Sequence, residues 1–433
     1  MSSERERHFE GLRGLSALIV VNEHYMSLFF GLSIIDFALR VDTFGVIENL
    51  SYPPFNLLHN GAAAVCIFFV LSGYVLSYRY FGADKEIHYS HLFAAAIKRY
   101  FRLCIPIIAC LLLFYVAFRC GLVFFDEVAV VAESHMLPLV TDPPMLVNIL
   151  RQGFVQTIFL GDANYNPPLW TMAAEFYGSL VVFVLQFILM VTLGKRGGLA
   201  IRLSAYVASI LLLYFYVPET KIMVEWLSNF LVAFILGMCL CDLKHHNNAN
   251  RYLEKGRRFW VPLALLLGVI LLAYMVRGYH TGFYRWLTYH AFDASKEYVY
   301  NTWGAFLLIA AIEYSPRVKA FLNNSMLQQL GSISFSLYLT HYIILASVSC
   351  GLFLALDPSL GYGVRVGIAS FAGLIISFLV ALIFTRYVDK LAIRCSHFIG
   401  NSICASTTLN QSISLDDIHS VISLRDFNNN KKP

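Results

Sequence analysis

What limits this chain most is a repeated length: apolar stretches of about twenty residues, the span an α-helix needs to cross a bilayer's hydrocarbon core. Such segments are read at 11–32, 57–81, 101–125, 169–193, 200–217, 224–243, 259–277, 298–315, 330–354 and 363–387. They predict an all-α fold, a polytopic integral membrane helical bundle of about ten transmembrane helices, with no internal repeat and no soluble domain. Composition agrees, since 58% of the 433 residues are hydrophobic and 14% charged, against about 25% charged in a soluble domain. Residues 1–395 form the expected transmembrane domain. Residues 396–433 form a polar tail rich in Ser and Asn, expected to be disordered and cytoplasmic, with room for a short surface helix over Ser414 to Leu424.

The first apolar segment lacks a small-residue cleavage site before more polar sequence, so it is expected to stay in the protein. Alternating ten spans from a cytoplasmic N-terminus gathers most of the 32 Lys and Arg residues on one side. The bias predicts that both termini are cytoplasmic. The net charge of +5 then belongs to short loops, and no nucleic-acid partner is expected. The nine cysteines are scattered through apolar sequence. Cys239 and Cys241 do not have zinc spacing; they read as core residues or as sites of acylation near the membrane surface. No metal site is expected.

Ionisable residues at membrane depth are costly and mark candidate sites. The first segment carries Arg13, Glu23 and His24. Arg13 and His24 are about 16 Å apart along a helix, on nearly one face. Arg13 alone also suits a residue that merely orients its helix, whereas Glu23 beside His24 in mid-span needs a reason. Ser72 and Gly73 sit within the second segment, where helix packing is the plainer role. Arg99 and Arg102 share a helix face at the entry to the third. Two guanidinium forks suit phosphate, although on charge alone a positive-inside anchor is the plainer reading. Glu175 is expected a few residues inside the fourth segment from the non-cytoplasmic side. Tyr338 and His341, one turn apart in the ninth, are expected mid-membrane, where His341 also reads as a satisfied structural histidine. The implied layout is an anionic, phosphate-bearing donor entering from the cytoplasm and an acceptor arriving from outside.

Two stretches are expected outside: Asp126 to Pro168, running into NYNPPLW from Asn164 to Trp170, and RGYHTGFYRWLTYH from Arg277 to His290. Their mixture of aromatic and polar groups suits carbohydrate, and suits an interfacial aromatic belt as well.

Five of these stretches, in this order, carry a resemblance. GLRGLSALIVVNEH, with Arg13 and His24, resembles the opening motif of the membrane acyltransferase-3 family, which includes bacterial polysaccharide and peptidoglycan O-acetyltransferases. FFVLSGYVLS resembles its Ser-Gly-aromatic signature at Ser72, Gly73 and Tyr74. KRYFRLCIP resembles its Arg-rich entry at Arg99, Arg102 and Pro106. LWTMAAEFYG is similar to its Trp-to-Glu segment at Trp170 and Glu175, and SFSLYLTHY to its late Tyr-Leu-x-His at Tyr338 and His341. The likeness covers roughly residues 8 to 392. It departs at Thr171, where family members often have Ser, and at Phe176, which replaces a polar residue. No fused hydrolase domain is read after the tenth segment, so the chain is expected to complete the transfer itself or to pass the acyl group on.

The resemblance implies O-acyl transfer, commonly of acetyl from acetyl-CoA, to a hydroxyl of a carbohydrate or similar acceptor. Acyl-CoA would be a co-substrate, with no resident cofactor, and membrane lipid the surroundings. The implied roles are catalytic for His24, as general base or transient acyl carrier, with Glu23 or Glu175 orienting the imidazole or the acceptor. Arg99, Arg102 and Arg13 would hold the CoA phosphates. Ser72, Tyr338 and His341 would line the channel and stabilise an oxyanion. The rival reading is a secondary transporter using the same buried groups, although carriers usually show inverted repeats and broken helices; a receptor or scaffold is a third.

Overall fold

In the computed structural model, the described residues are 7–30, 54–81, 89–134, 136, 138–140, 143–193, 198–216, 225–274 and 296–402. Among them all regular structure is helical. Each of the ten apolar segments coincides with a helix. Helix α1 is Arg7–Phe30, α2 Gly61–Phe81 and α3 Tyr89–Arg119. After the short α4, Phe125–Val131, comes a helix in none of the ten segments, α5 at Leu146–Leu160. Then follow α6 (Thr171–Leu193), α7 (Leu199–Phe215), α8 (Glu225–His245), α9 (Asn247–Leu272) and α10 (Lys296–Tyr314). The last are the short α11 (Pro316–Leu322), α12 (Ser325–Ala355) and α13 (Tyr362–Ser402). By length and composition six of these, α2, α3, α6, α8, α12 and α13, are long and apolar enough to cross a membrane. Helices α1, α9 and α10 carry more charge, chiefly toward their ends, and α7 is shorter. The protein is a multi-pass helical membrane bundle.

The inner layer is α1, α2, α8 and α12. Helix α8 is 83% buried within the protein and α12 72%, whereas α13 at 28% covers the outside. Helix α8 pairs with α2, and α1 with α12. These pairs need missing side chains. A Cβ on Gly73 would overlap the carbonyl oxygen of Phe234, and one on Gly237 that of Val70, so α2 and α8 meet backbone to backbone. Gly331 of α12 likewise lies against the Glu10 carbonyl of α1. Gly73 is thus a packing residue, as helix spacing suggested. Cys241 is buried in α8 and Cys239 half-buried.

Ion pairs fix which helix ends lie together. Glu313 at the end of α10 takes His8 of α1 at 3.0 Å, Lys319 of α11 at 2.9 Å and Lys244 at the end of α8 at 3.3 Å. Lys98 of α3 reaches Asn401 at the far end of α13 at 3.0 Å. The start of α1 and the ends of α8 and α10 therefore share one end of the bundle, as alternating spans require. Helix α13 runs on to Ser402, past the expected start of the tail. The stretches 277–290 and 414–424 lie outside the described residues.

Within the expected loop from Asp126 to Pro168, residues 146–166 form a re-entrant segment that folds back along α3. Helix α5 runs beside α3, with Gly153 against Ile108, Tyr100 OH donating to the Phe154 carbonyl at 2.9 Å and the Tyr100 and Phe159 rings 5.9 Å apart. Residues 161–166 then return toward the middle of α3, where the Tyr165 and Phe114 rings lie 5.9 Å apart. Irregular backbone at such depth must have its polar groups met inside the protein. Thr157 Oγ1 donates to the Asp162 carbonyl at 2.8 Å. Asn166, fully buried, donates to the Leu339 carbonyl of α12 at 2.9 Å. Pro167 and Pro168 then open the turn into α6, which begins deep in the bundle.

Candidate functional site

That deep start sets the position of Glu175. It lies one turn into α6, and instead of facing the opposite side from the arginines it forms an ion pair with Arg99 of α3. Its Oε1 also accepts from Ser72 Oγ of α2 at 2.8 Å. Arg99 Nε donates to Ser179 Oγ at 2.8 Å, and Ser179 donates to the Glu175 carbonyl at 2.6 Å. The expected separation of Arg99 from Glu175 across the membrane is therefore corrected. The re-entrant segment carries the carboxylate down to the guanidinium.

These residues line a cavity of about 380 Å³ between α1, α2, α3, α6, α12 and α13. Arg13, Ser72, Arg99, Arg102, Glu175 and Tyr338 all face it. Sequence reasoning missed its remaining carboxylates. Arg102 pairs with Asp389 of α13 at 2.5 Å and lies over the Phe335 ring at 5.0 Å, and Arg13 pairs with Glu10 at 3.0 Å. Each of the three guanidiniums thus has a carboxylate partner. Asp389 sits in a π-turn, Thr385–Asp389, a distortion that recurs at functional sites. Its signal in the sequence is an acidic residue set between Arg386 and Lys390.

At its inner end the cavity meets Tyr338 and Phe68, whose rings are 6.0 Å apart. The Tyr338 hydroxyl, the Thr171 hydroxyl and the Pro168 carbonyl form a triangle of contacts at 2.8, 2.9 and 3.1 Å. One turn further along α12, His341 is fully buried and its ring lies 6.2 Å from that of Tyr338. His341 Nε2 is 3.1 Å from Nδ1 of His24. His341 therefore does not line the cavity, as expected of it, but backs the first-helix histidine. Glu23 Oε2 stands 3.5 Å from the same His24 nitrogen, so Glu23, not Glu175, is the carboxylate at the imidazole. The nine sequence-selected residues fall into two adjoining groups: six around the cavity, and Glu23, His24 and His341 beyond Tyr338.

An all-helical, multi-pass bundle with a cation-lined internal cavity leading toward a buried and a half-buried histidine is a membrane protein built to act on a molecule held inside it. Comparison with known proteins gives the class: the sequence model described as an acyltransferase domain matches residues 7–386, and the chain belongs to this acyltransferase-3 family. It is an acyltransferase. It is 26% identical to O-acetyltransferase PaAT-1 of Phomopsis amygdali, over 89% of this chain and 83% of that one. It is 23% identical to Acyltransferase R4 of Phoma sp., over 90% and 94%, and 22% identical to Acyltransferase clz18 of Cochliobolus lunatus, over the same shares. No solved structure matches the chain.

Proposed function

We propose that the protein moves an acyl group, acetyl from acetyl-CoA, to a hydroxyl of a carbohydrate or similar acceptor at the membrane. The observation that carries this reading is the single cavity that gathers Arg13, Arg99 and Arg102 and ends at Tyr338, one helical turn from the His341–His24 pair. Guanidinium forks recognise phosphate oxygens in bidentate fashion. The phosphate-bearing head of acyl-CoA would sit among the three arginines, its oxygens competing with Asp389, Glu10 and Glu175 for them. The pantetheine arm would extend past Phe68 and Tyr338 and bring the thioester to His24. The end of the bundle carrying the start of α1 would face the cytoplasm, where the basic residues gather. That one relative is named an O-acetyltransferase supports acetyl as the group and oxygen as its acceptor.

With His24 as general base, the acceptor hydroxyl gives its proton to the imidazole as its oxygen attacks the thioester carbonyl. The C–S bond then breaks, and the departing thiolate takes that proton to become CoA-SH. With His24 as acyl carrier, the ring nitrogen attacks the thioester carbonyl and the C–S bond breaks to release the thiolate. The acceptor hydroxyl then attacks the acyl-imidazole, the C–N bond breaks, and the hydroxyl proton passes to the thiolate to give CoA-SH. In both, Ser72 and Tyr338 would donate to the developing oxyanion by turning from Glu175 and Pro168, to which they donate in the structure.

The test is incubation of membranes containing the protein with acetyl-CoA labelled in the acetyl group. Covalent label on a lipid- or polysaccharide-bound acceptor, lost in His24→Ala, is the expected result. Label that enters sealed vesicles without covalent attachment would overturn the reading in favour of a carrier.

A further inference from the structure

We infer that His341 is a positioning residue that, together with the Val20 carbonyl, fixes the tautomer of His24, leaving Nε2 of His24 as the ring atom that takes and returns the proton. The chemical use of this arrangement rests on the acyl-transfer reading above; the arrangement itself rests on contacts.

A backbone carbonyl only accepts hydrogen bonds, and a neutral imidazole has one N–H donor and one lone-pair acceptor. His341 Nδ1 lies 3.0 Å from the Leu337 carbonyl, so that nitrogen carries the proton and His341 Nε2 presents its lone pair. The lone pair points at His24 Nδ1, 3.1 Å away. His24 Nδ1 is also 2.9 Å from the Val20 carbonyl and 3.5 Å from Glu23 Oε2. All three neighbours of His24 Nδ1 are acceptors, so this nitrogen holds the hydrogen. The lone pair of the ring is then on Nε2.

The polarity runs in one direction: Leu337 carbonyl, His341 N–H, His341 lone pair, His24 N–H, His24 lone pair. When Nε2 accepts the acceptor's proton, the charge that appears on the imidazolium is met by Val20, His341 and the Glu23 carboxylate with no regrouping of partners. Return of the proton from Nε2 to the thiolate restores the starting tautomer. The three acceptors lie on α1 and α12, two inner helices packed on each other, so the geometry is held at their contact. Tyr342 closes the same side, its ring 5.1 Å from that of His24 at an interplanar angle of 87°.

The experiment uses the full-length protein in detergent or nanodiscs. In ¹⁵N-histidine-labelled protein the His24 resonances are those lost in His24→Ala, and they should show Nδ1 protonated and Nε2 unprotonated. A His24 protonated at Nε2 would overturn the proposal whether or not acyl transfer occurs. In parallel, His341→Leu removes the one acceptor contributed by α12 and leaves Val20 and Glu23 in place, and His341→Gln offers an amide oxygen instead. Removal of the group that fixes a catalytic histidine's tautomer costs up to about 10⁴-fold in rate. His341→Leu should lose about 10²-fold or more in turnover while coenzyme A binding changes by less than about twofold, because His341 does not line the cavity. His341→Gln should recover about tenfold of the loss. Turnover in His341→Leu within about twofold of wild type, or coenzyme A binding lost along with turnover, would overturn the positioning role. Wild-type protein that transfers no acyl group would instead refute the acyl-transfer reading and leave the tautomer result standing.

Discussion

The cavity arginines are not free cations waiting for an anion. Arg99 is tied to Glu175 and Ser179, Arg102 to Asp389 over Phe335, and Arg13 to Glu10. A phosphate must outcompete carboxylates, which favours a ligand carrying several phosphate groups over a single small anion. On the proposed reading, Arg102→Ala should raise KM for acetyl-CoA by about ten- to a hundredfold, since a hydrogen bond to a charged group is worth about 1.5–3 kcal/mol, with kcat changed little. Initial rates over a range of acetyl-CoA concentrations measure this, and a fall in kcat at unchanged KM would contradict it. Asp389→Asn removes a competitor for Arg102 and should lower KM for the same donor. Arg99 and Arg102 were legible in the sequence as a pair on one helix face. Their pairing with carboxylates was not, because Arg102 and Asp389 are 287 residues apart and Arg99 and Glu175 are 76 apart. Periodicity reports the face a residue occupies and is silent on the partner it meets across the bundle.

Among the elements, the helices of the bundle were legible because a bilayer demands about twenty apolar residues and internal backbone bonding, and six of those described are long and apolar enough to cross one. Helix α5 was not. Its fifteen-odd residues include Gln152, Gln156 and Thr157, and a window of spanning length also takes in the Asp-Asn-Pro sequence after it. These polar residues serve the buried return of the chain, with Thr157 and Asn166 holding backbone carbonyls. The consequence reached the site, because the depth of Glu175 follows from where α6 begins. Asn166→Leu should therefore destabilise the protein by about 1–3 kcal/mol, the cost of a buried group left without its hydrogen bond, and should also weaken donor binding through Glu175. Thermal unfolding in detergent and coenzyme A affinity check the two effects. At the α2–α8 contact, Gly73→Leu drives a side chain into the Phe234 carbonyl. It should cost about 1–3 kcal/mol or more and lower the midpoint of the same unfolding curve, whereas an unchanged midpoint would mean that the two helices do not pack as closely as described.

At the scale of the molecule, the bundle has two differently furnished halves. The end where α1 begins holds the ion-pair cluster around Glu313 and the arginine-lined cavity; the histidine pair lies further in, beyond Tyr338. Glu313→Ala would leave His8, Lys244 and Lys319 facing one another without their carboxylate. Breaking buried pairs of this kind costs about 3–5 kcal/mol, so this variant should be among the least stable, as read from thermal unfolding. The division of labour in the proposed reaction matches the two halves: binding of the donor's phosphates in the first, bond making at His24 in the second. Coenzyme A affinity and the rate of acetyl transfer, measured on one preparation of wild type and His24→Ala, therefore test the account most directly. The account predicts that His24→Ala binds coenzyme A within about twofold of wild type yet transfers no acetyl group above background. Near-wild-type transfer by His24→Ala, or loss of coenzyme A binding together with transfer, would contradict it.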